Sequence, residues 1–195
     1  MEERRLALDL ASTIRHDGAG GVADDLATVA GLADWLSGPL GRPTGEVRAD
    51  EPLRLRITAL RAAVRALFAR AVSPGPPSPA DAHRLLPHDE ALARLNAAAA
   101  LEPVTPQLRW PAGGAPAPGA LPSAATPQDR LLAELARAAI AFLTGPERER
   151  LRACTAPRCV RYFVKSHGRQ EWCKPSCADR ARAARHYRRR VSPSG

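Results

Sequence analysis

Cys154-Thr-Ala-Pro-Arg-Cys159 and Cys173-Lys-Pro-Ser-Cys177 contain all four cysteines of this 195-residue chain. Four residues separate the first pair, three separate the second, and thirteen lie between the pairs. A tetrahedral Zn²⁺ ion binds four thiolates, and two short cysteine loops brought together by a small hairpin can supply them. The stretch therefore predicts a structural zinc site formed by Cys154, Cys159, Cys173 and Cys177.

Two disulfides or an iron–sulfur cluster are the alternative uses of four cysteines. The sequence shows no export signal, and disulfides are rare where thiols are kept reduced. The spacing within each pair is typical of structural zinc sites and matches none of the common ferredoxin patterns. The sequence therefore favours zinc over both alternatives.

The residues around the cysteines predict a β-hairpin followed by a helix. Val160-Arg-Tyr-Phe-Val164 is rich in β-branched and aromatic residues, Ser166-His-Gly168 is typical of a turn, and Gln170-Glu-Trp172 can form the returning strand. Ser176 and Asp179 fit a capping box, which predicts that the helix begins at the last cysteine.

Positive charge is concentrated in this last quarter of the chain. Residues 147–195 include 14 basic and 4 acidic residues, a net charge of +10, whereas the first 146 residues have a net charge of −1. A localised positive field is typical of proteins that bind nucleic acid, and a solvated basic surface is the alternative. The candidate nucleic-acid contacts are Arg161, Lys165, Arg169, Lys174, Arg180, Arg182, Arg185, Arg188 and Arg189.

The segment from Leu151 to Arg188 resembles the CGNR-type zinc finger of bacterial proteins. The resemblance rests on both cysteine pairs, on Trp172 immediately before Cys173, and on the tetrad Cys177-Ala-Asp-Arg180 before a basic helix. In the family the tetrad reads Cys-Gly-Asn-Arg, so this chain keeps the cysteine and the arginine and replaces the two central residues. The resemblance implies a treble-clef-like zinc finger.

Apolar residues recur at helical spacing through most of the first 146 residues. This pattern predicts helices over 3–16, 23–37, 52–71, 78–86, 89–101 and 127–143. In the third helix, Leu53, Ile57 and Leu60 begin the apolar face, and the arginines between them, Arg61 and Arg65 included, are predicted to face solvent.

One strand is predicted outside the finger. It spans 104–110, with Pro106 placing it at a sheet edge, and the Pro/Gly-rich residues 111–123 are predicted to form a flexible loop. The fold class is therefore mainly α: a helical domain with at most a small β element (1–146), a zinc finger with a β-hairpin and a basic helix (147–190), and a disordered tail (191–195).

The N-terminal region is similar to the ABATE-type helical domain that often precedes a CGNR finger. The similarity lies in Leu6-Ala-Leu-Asp-Leu-Ala-Ser-Thr-Ile14, Leu32-Ala-Asp-Trp-Leu36, and Leu92-Ala-Arg-Leu-Asn96 with Trp110 beyond it. In the family this tryptophan leads to a second strand, and here the Pro/Gly loop follows it. Together the two resemblances imply a bacterial stress-induced transcription regulator.

These observations predict a zinc-dependent, DNA-binding transcription regulator. Double-stranded DNA is the expected partner, and the helical domain is expected to sense a small-molecule ligand or to form a homodimer. The alternatives are an RNA- or protein-interaction module, in which Tyr162, Phe163 and Trp172 could stack on RNA bases, and a thiol redox sensor that loses zinc on oxidation.

No catalytic residues are predicted. His16 with Asp17, Asp24 with Asp25, and His83 with His88-Asp-Glu90 are scattered near helix ends and turns, where solvated polar groups are common. Four thiolates also leave no open position on the zinc for a substrate. The acidic start and the absence of a membrane-length apolar run lead us to expect a cytoplasmic, nucleoid-associated protein.

Overall fold

The computed structural model describes residues 2–19, 21–38, 47–81, 84–121 and 123–191, and the side chains of 2–5, 188, 189 and 191 lie outside that description. The described residues form seven α-helices and three two-stranded antiparallel sheets. The helices are Glu2–Ser12 (α1), Val29–Ser37 (α2), Glu51–Val72 (α3), His88–Ala99 (α4), Pro127–Thr144 (α5), Glu147–Arg150 (α6) and Pro175–Val191 (α7). The strands are Ile14–His16 (β1), Val22–Asp24 (β2), Pro106–Arg109 (β3), Ala117–Ala120 (β4), Leu151–Ala153 (β5) and Tyr162–Val164 (β6). The predicted mainly α fold is confirmed.

The two long helices at the centre, α3 and α5, begin where side chains cap their first turns. Asp50 accepts a 2.9 Å hydrogen bond from the backbone N–H of Leu53, and Thr126 accepts one of 3.1 Å from Asp129. Each helix has a proline in its first turn, where no backbone N–H is needed. These local signals explain why both helices were predictable from the sequence.

The core lies between α5 and the helices α1, α3 and α4 that pack against it. Phe68 of α3 and Phe142 of α5 are fully buried, with their ring centroids 5.1 Å apart. The predicted apolar face of α3 is confirmed from Leu53 through Leu67. Within the described residues, no helix has both the length and the apolar character that a bilayer crossing requires.

The arginines of α3 correct the sequence prediction. Arg61 and Arg65 were expected to face solvent, but their exposed fractions are 7% and 4%. Arg61 donates to both carboxylate oxygens of Asp24, at 2.6 and 2.7 Å, and to the hydroxyl of Thr13 at 2.9 Å. The helix is covered on more than one side, so these cations are buried together with acceptors.

A short hairpin replaces the end of the first predicted helix. The helix stops at Ser12, and Ile14–His16 pairs with Val22–Asp24. The second helix begins at Val29 rather than near Ala23, because Thr28 accepts a 3.0 Å hydrogen bond from the N–H of Gly31 and caps it there. The apolar periodicity of the sequence therefore predicted both helices to be longer than they are.

Two further predictions in the helical region were wrong. The Pro/Gly-rich loop contains strand β4, which pairs with β3 from Pro106↔Ala120 to Arg109↔Ala117. The helix predicted over 78–86 is reduced to a 3₁₀ turn at Pro79–Asp81, and residues 82 and 83 lie outside the described residues. Both segments contain prolines, which weaken any helical or strand pattern in the sequence.

The finger has the predicted kinds of element in a different order. The partner of β6 is β5, which precedes the first cysteine, and 170–172 form no strand. Helix α7 begins at Pro175, two residues earlier than predicted, so Ser176 lies inside the helix and not at its cap. Cys177 is still in the first helical turn, as the sequence predicted.

The finger hairpin is part of the main core. Leu151 and Tyr162 are 0% and 3% exposed and lie in the same apolar cluster as the residues of α1, α3 and α5. Phe163, which points to the opposite face of β6, packs against the cysteines. Strand β6 therefore lies between the helical core and the cysteine cluster.

Candidate metal centre and nucleic-acid surface

The four cysteine sulfurs converge on one point. All four Sγ atoms lie within 4.8 Å of one another, and the Cys159–Cys173 and Cys173–Cys177 distances are 3.7 and 3.5 Å. A tetrahedron with Zn–S bonds of about 2.3 Å has S···S edges of about 3.8 Å. A disulfide would need sulfurs about 2.05 Å apart. The donor set and its spacing therefore fit Zn²⁺.

The first cysteine pair is held by a tight turn after β5. The N–H of Cys154 donates to the carbonyl of Arg161 at 2.9 Å, and that of Cys159 donates to Ala156 at 3.0 Å. Arg158 has φ of 64°, in the left-handed region that non-glycine residues rarely adopt. This turn brings the two thiols to the same side of the hairpin.

The second pair belongs to the start of α7. Cys173 precedes the helix, and Cys177 lies in its first turn, where its N–H bonds to the carbonyl of Lys174 at 3.0 Å. The positive end of the helix dipole there favours a thiolate. Zinc binding would therefore fix the direction in which α7 leaves the finger.

The cysteine cluster is buried and needs a cation. Cys154, Cys159 and Cys177 are at most 3% exposed. Hydrogen bonds from the side chains of Cys154 and Cys173 lower the pKa of Cys159. The side chains of Cys154 and Cys159 in turn raise the pKa of Cys173. Four crowded thiols cannot all lose their protons in an apolar site, because the thiolates would repel one another. A bound divalent cation neutralises part of their charge and so allows all four to ionise.

Arg180 supports this centre from the second turn of α7. Its Nη2 donates to Cys177 Sγ at 3.0 Å, and its Nε donates to the carbonyl of Pro157 at 3.2 Å. The side chain therefore links α7 to the loop of the first cysteine pair. It was predicted as a nucleic-acid contact, and the structure places its guanidinium against the metal site.

A buried polar network joins the finger hairpin to the helical domain, and no sequence pattern predicted it. The guanidinium of Arg65 donates to both carboxylate oxygens of Asp81, at 2.7 and 3.0 Å, and to the carbonyl of Val160 at 3.2 Å. Ser78 donates to the same carbonyl at 2.8 Å.

Tyr162 completes this network. Its hydroxyl donates to Asp81 at 2.7 Å and accepts from the N–H of Ser78 at 3.2 Å. Burial, with the nearby charge of Asp81, raises its pKa, so the phenol stays protonated. The ring lies 5.2 Å from the guanidinium carbon of Arg65. Because every polar atom named has a partner, the network can hold the hairpin in one position.

The remaining basic candidates lie on the outside of the finger. Arg169, Lys174, Arg182 and Arg185 are exposed, and Arg161 and Lys165 are half-buried. Arg182 pairs with Asp179 at the surface, and Lys165 donates to the carbonyl of Gly168. Arg188 and Arg189 lie on α7, but their side chains are outside the described residues.

Trp172 is a surface contact between the finger loop and α7. The guanidinium carbon of Arg185 lies 5.5 Å from the centroid of its ring. Cation–π contacts of this kind contribute about 0.5–1 kcal/mol at exposed sites. The contact orders Arg185, which lies one helical turn from Arg182 on α7.

The scattered polar pairs form no second metal cluster in the part of the chain that the structure describes. The ring of His16 accepts from the N–H of Gly18, and Asp17 accepts from the backbone of Ala19, so both shape a turn. Asp24 binds Arg61, and Asp25 binds Arg15. His83 lies outside the described residues.

Comparison with protein families agrees with both parts of this structure. Residues 4–146 match the ABATE family, described as "putative stress-induced transcription regulator", and residues 150–190 match the CGNR zinc finger. Neither is a family of enzymes. No curated protein matches the chain. The chain belongs to the ABATE family, and its last quarter is a CGNR zinc finger whose four cysteines form a Zn²⁺ site.

Proposed function

We propose that the protein is a DNA-binding transcription regulator in which the zinc finger presents α7 to double-stranded DNA. The observation that carries the proposal is that a 17-residue basic helix begins inside the cluster of four cysteines. Such a helix is about 25 Å long and can lie in the major groove or along the phosphates. Zinc would set its orientation relative to the rest of the finger.

Charge supports the same function. The finger segment has a net charge of +10, and most of the basic side chains described in it are exposed. Lysines and arginines that neutralise phosphates release condensed counterions, which is the main source of affinity for nucleic acid. We assign the contacts to Arg169, Lys174, Arg182, Arg185, Arg188 and Arg189, with Arg161 and Lys165 at the edge of the surface.

Arg180 has a different role in this proposal. Its bonds to Cys177 Sγ and to the carbonyl of Pro157 use the guanidinium inside the finger. A side chain held this way orients a zinc ligand, as outer-shell residues do at other metal sites. We therefore propose that Arg180 positions the metal site instead of reading a base.

The aromatic residues of the finger hairpin are poorly placed to stack on single-stranded RNA. Base stacking needs exposed rings, but Tyr162 and Phe163 are 3% and 8% exposed and pack in the two cores. Trp172 is half-buried and lies against Arg185.

The helical domain, in the same proposal, senses a ligand or forms a dimer that controls the finger.

Selection from random nucleic-acid pools tests this function. Zinc-loaded protein is incubated with matched pools of duplex DNA and RNA, and the bound molecules are sequenced. We expect enrichment of a duplex motif, and the Cys173→Ser variant should enrich nothing. An RNA motif, or equal enrichment by both proteins, would contradict the proposal.

A further inference from the structure

A large cleft lies where the helical domain meets the segment that leads into the zinc site. Its volume is about 840 Å³, and its walls come from the ends of α3, α4 and α5 and from α6 and β5. Sites for small molecules usually have volumes of about 300–1,000 Å³. The cleft is therefore large enough for a small organic ligand.

The interior of the cleft is apolar. Leu67 and Leu95, which are 6% and 3% exposed, line its depth, and the partly buried Ile140 and Leu143 form a wall. Leu92 lines the same cleft and is 37% exposed. Leu92 thus presents its side chain to the opening, where an apolar ligand would cover it.

The mouth of the cleft carries positive charge. Arg70, Arg148 and Arg152 line it together with Glu149. Among the described residues, the side chains of Arg70 and Arg148 have no hydrogen-bond or ion-pair partner. Arg152 donates to the backbone carbonyls of Glu149 and Leu151, which fixes it at the mouth.

Three other arginines of the helical domain are used for internal ion pairs. Arg61, Arg65 and Arg137 each donate to a carboxylate, Asp24, Asp81 and Glu102 respectively. Arg70 and Arg148 combine two guanidinium groups that have no partner among the described residues with an adjoining apolar cleft. A guanidinium matches a carboxylate geometrically and can bind it through two parallel hydrogen bonds.

We propose that this cleft binds a small organic acid, with its apolar body against Leu67, Leu95 and Ile140 and its carboxylate between Arg70 and Arg148. The inference rests on the proposed function, in which the helical domain senses a ligand, and it names the ligand class and the site. Arg148 and Arg152 lie within six residues of Cys154. A bound acid would therefore contact the helices and the segment that enters the zinc finger.

Calorimetry with full-length, zinc-loaded protein tests the site, with decanoate as the probe. Decan-1-ol has the same apolar body without the charge, and acetate has the charge without the body. We expect one decanoate to bind per chain, decan-1-ol to bind roughly ten-fold more weakly or worse, and acetate not to bind measurably. Equal affinity for decanoate and decan-1-ol, or no saturable binding of decanoate, would overturn the proposal.

Two double variants test where the carboxylate of the ligand binds. The double substitution Arg70→Gln with Arg148→Gln should weaken the binding of decanoate by roughly ten-fold or more. The affinity for decan-1-ol should not change. Arg94→Gln with Arg150→Gln is the matched control, since it removes the same charge from α4 and α6 at residues that do not line the cleft. Equal weakening by the two pairs would mean that net charge, and not this site, attracts the acid.

DNA affinity is measured on the same samples without acid. Protein that binds DNA but not decanoate would overturn this inference and leave the proposed function standing. Protein that binds decanoate specifically but not DNA would overturn DNA binding and leave the cleft as a ligand site.

Discussion

The hydroxyl of Tyr162, in the zinc finger, donates a 2.7 Å hydrogen bond to the carboxylate of Asp81, in the helical domain. The same carboxylate binds Arg65 of α3, so one buried acid joins the hairpin that carries the cysteines to the central helix of the protein. The finger is therefore attached to the helical domain by a specific polar network as well as by apolar packing.

This contact predicts a stability cost at Tyr162. Tyr162→Phe removes the hydroxyl and leaves Asp81 and the N–H of Ser78 short of a partner, which we expect to cost about 1–3 kcal/mol. Tyr187→Phe is the matched control, because Tyr187 is 68% exposed and should change stability by less than about 0.5 kcal/mol. Urea denaturation of both variants gives the comparison, and equal stabilities would show that the network contributes nothing.

The shared core changes what is expected of a truncated protein. From the sequence, residues 1–146 were predicted to form a domain separate from the finger. In the structure, Leu151 and Tyr162 complete the helical core, and each such side chain contributes about 1.5–3 kcal/mol when buried. We therefore expect a chain ending at Gly145 to melt at a clearly lower temperature than one ending at Val164. Identical melting temperatures would indicate that the hairpin adds nothing to the helical domain.

Zinc content can be separated from the helical fold. Because all four sulfurs are needed to close the site, Cys173→Ser should reduce bound zinc from one per chain to none, measured by elemental analysis. The core around α3 and α5 does not use the metal, so most of the helical circular dichroism should remain. Full zinc occupancy in the variant, or loss of most of its helical circular dichroism, would contradict the prediction that the helical fold is independent of the metal.

Arg180 is expected to act on metal retention. Arg180→Gln removes the N–H donor to Cys177 Sγ and should weaken zinc binding by about 10–100-fold, the range seen for outer-shell residues. Arg182→Gln removes an exposed cation two residues away and should leave zinc binding unchanged. Competition with a coloured chelator measures both. Unchanged zinc binding in Arg180→Gln, with reduced discrimination between DNA sequences, would instead indicate that Arg180 reads a base.

Much of this architecture could be predicted because it depends on local chemistry. Local residues determine the two cysteine pairs, the capped starts of α3 and α5, and the apolar face of α3. The metal ligands likewise come from two short motifs. These features need no knowledge of distant contacts.

The features that were missed depend on contacts between distant parts of the chain. Arg65 was expected to face solvent, and its burial is explained by Asp81 and Val160, which are 16 and 95 residues away. Strand β5 was missed because its three residues are too few to show alternation, and eight residues separate it from its partner β6. Arg180 was assigned to DNA because a helical arginine gives no sequence signal for a bond to sulfur.

The affinity of the protein for duplex DNA as a function of salt tests the central claim most directly. If the six assigned residues contact phosphates, the slope of log affinity on log salt should be about −5, because each contact contributes about −0.9. The slope is measured for zinc-loaded protein and for Cys173→Ser on the selected duplex. We predict a steep slope and tight binding with zinc and a large loss of affinity in the variant. A slope near zero, or equal affinity of the two proteins, would contradict the account.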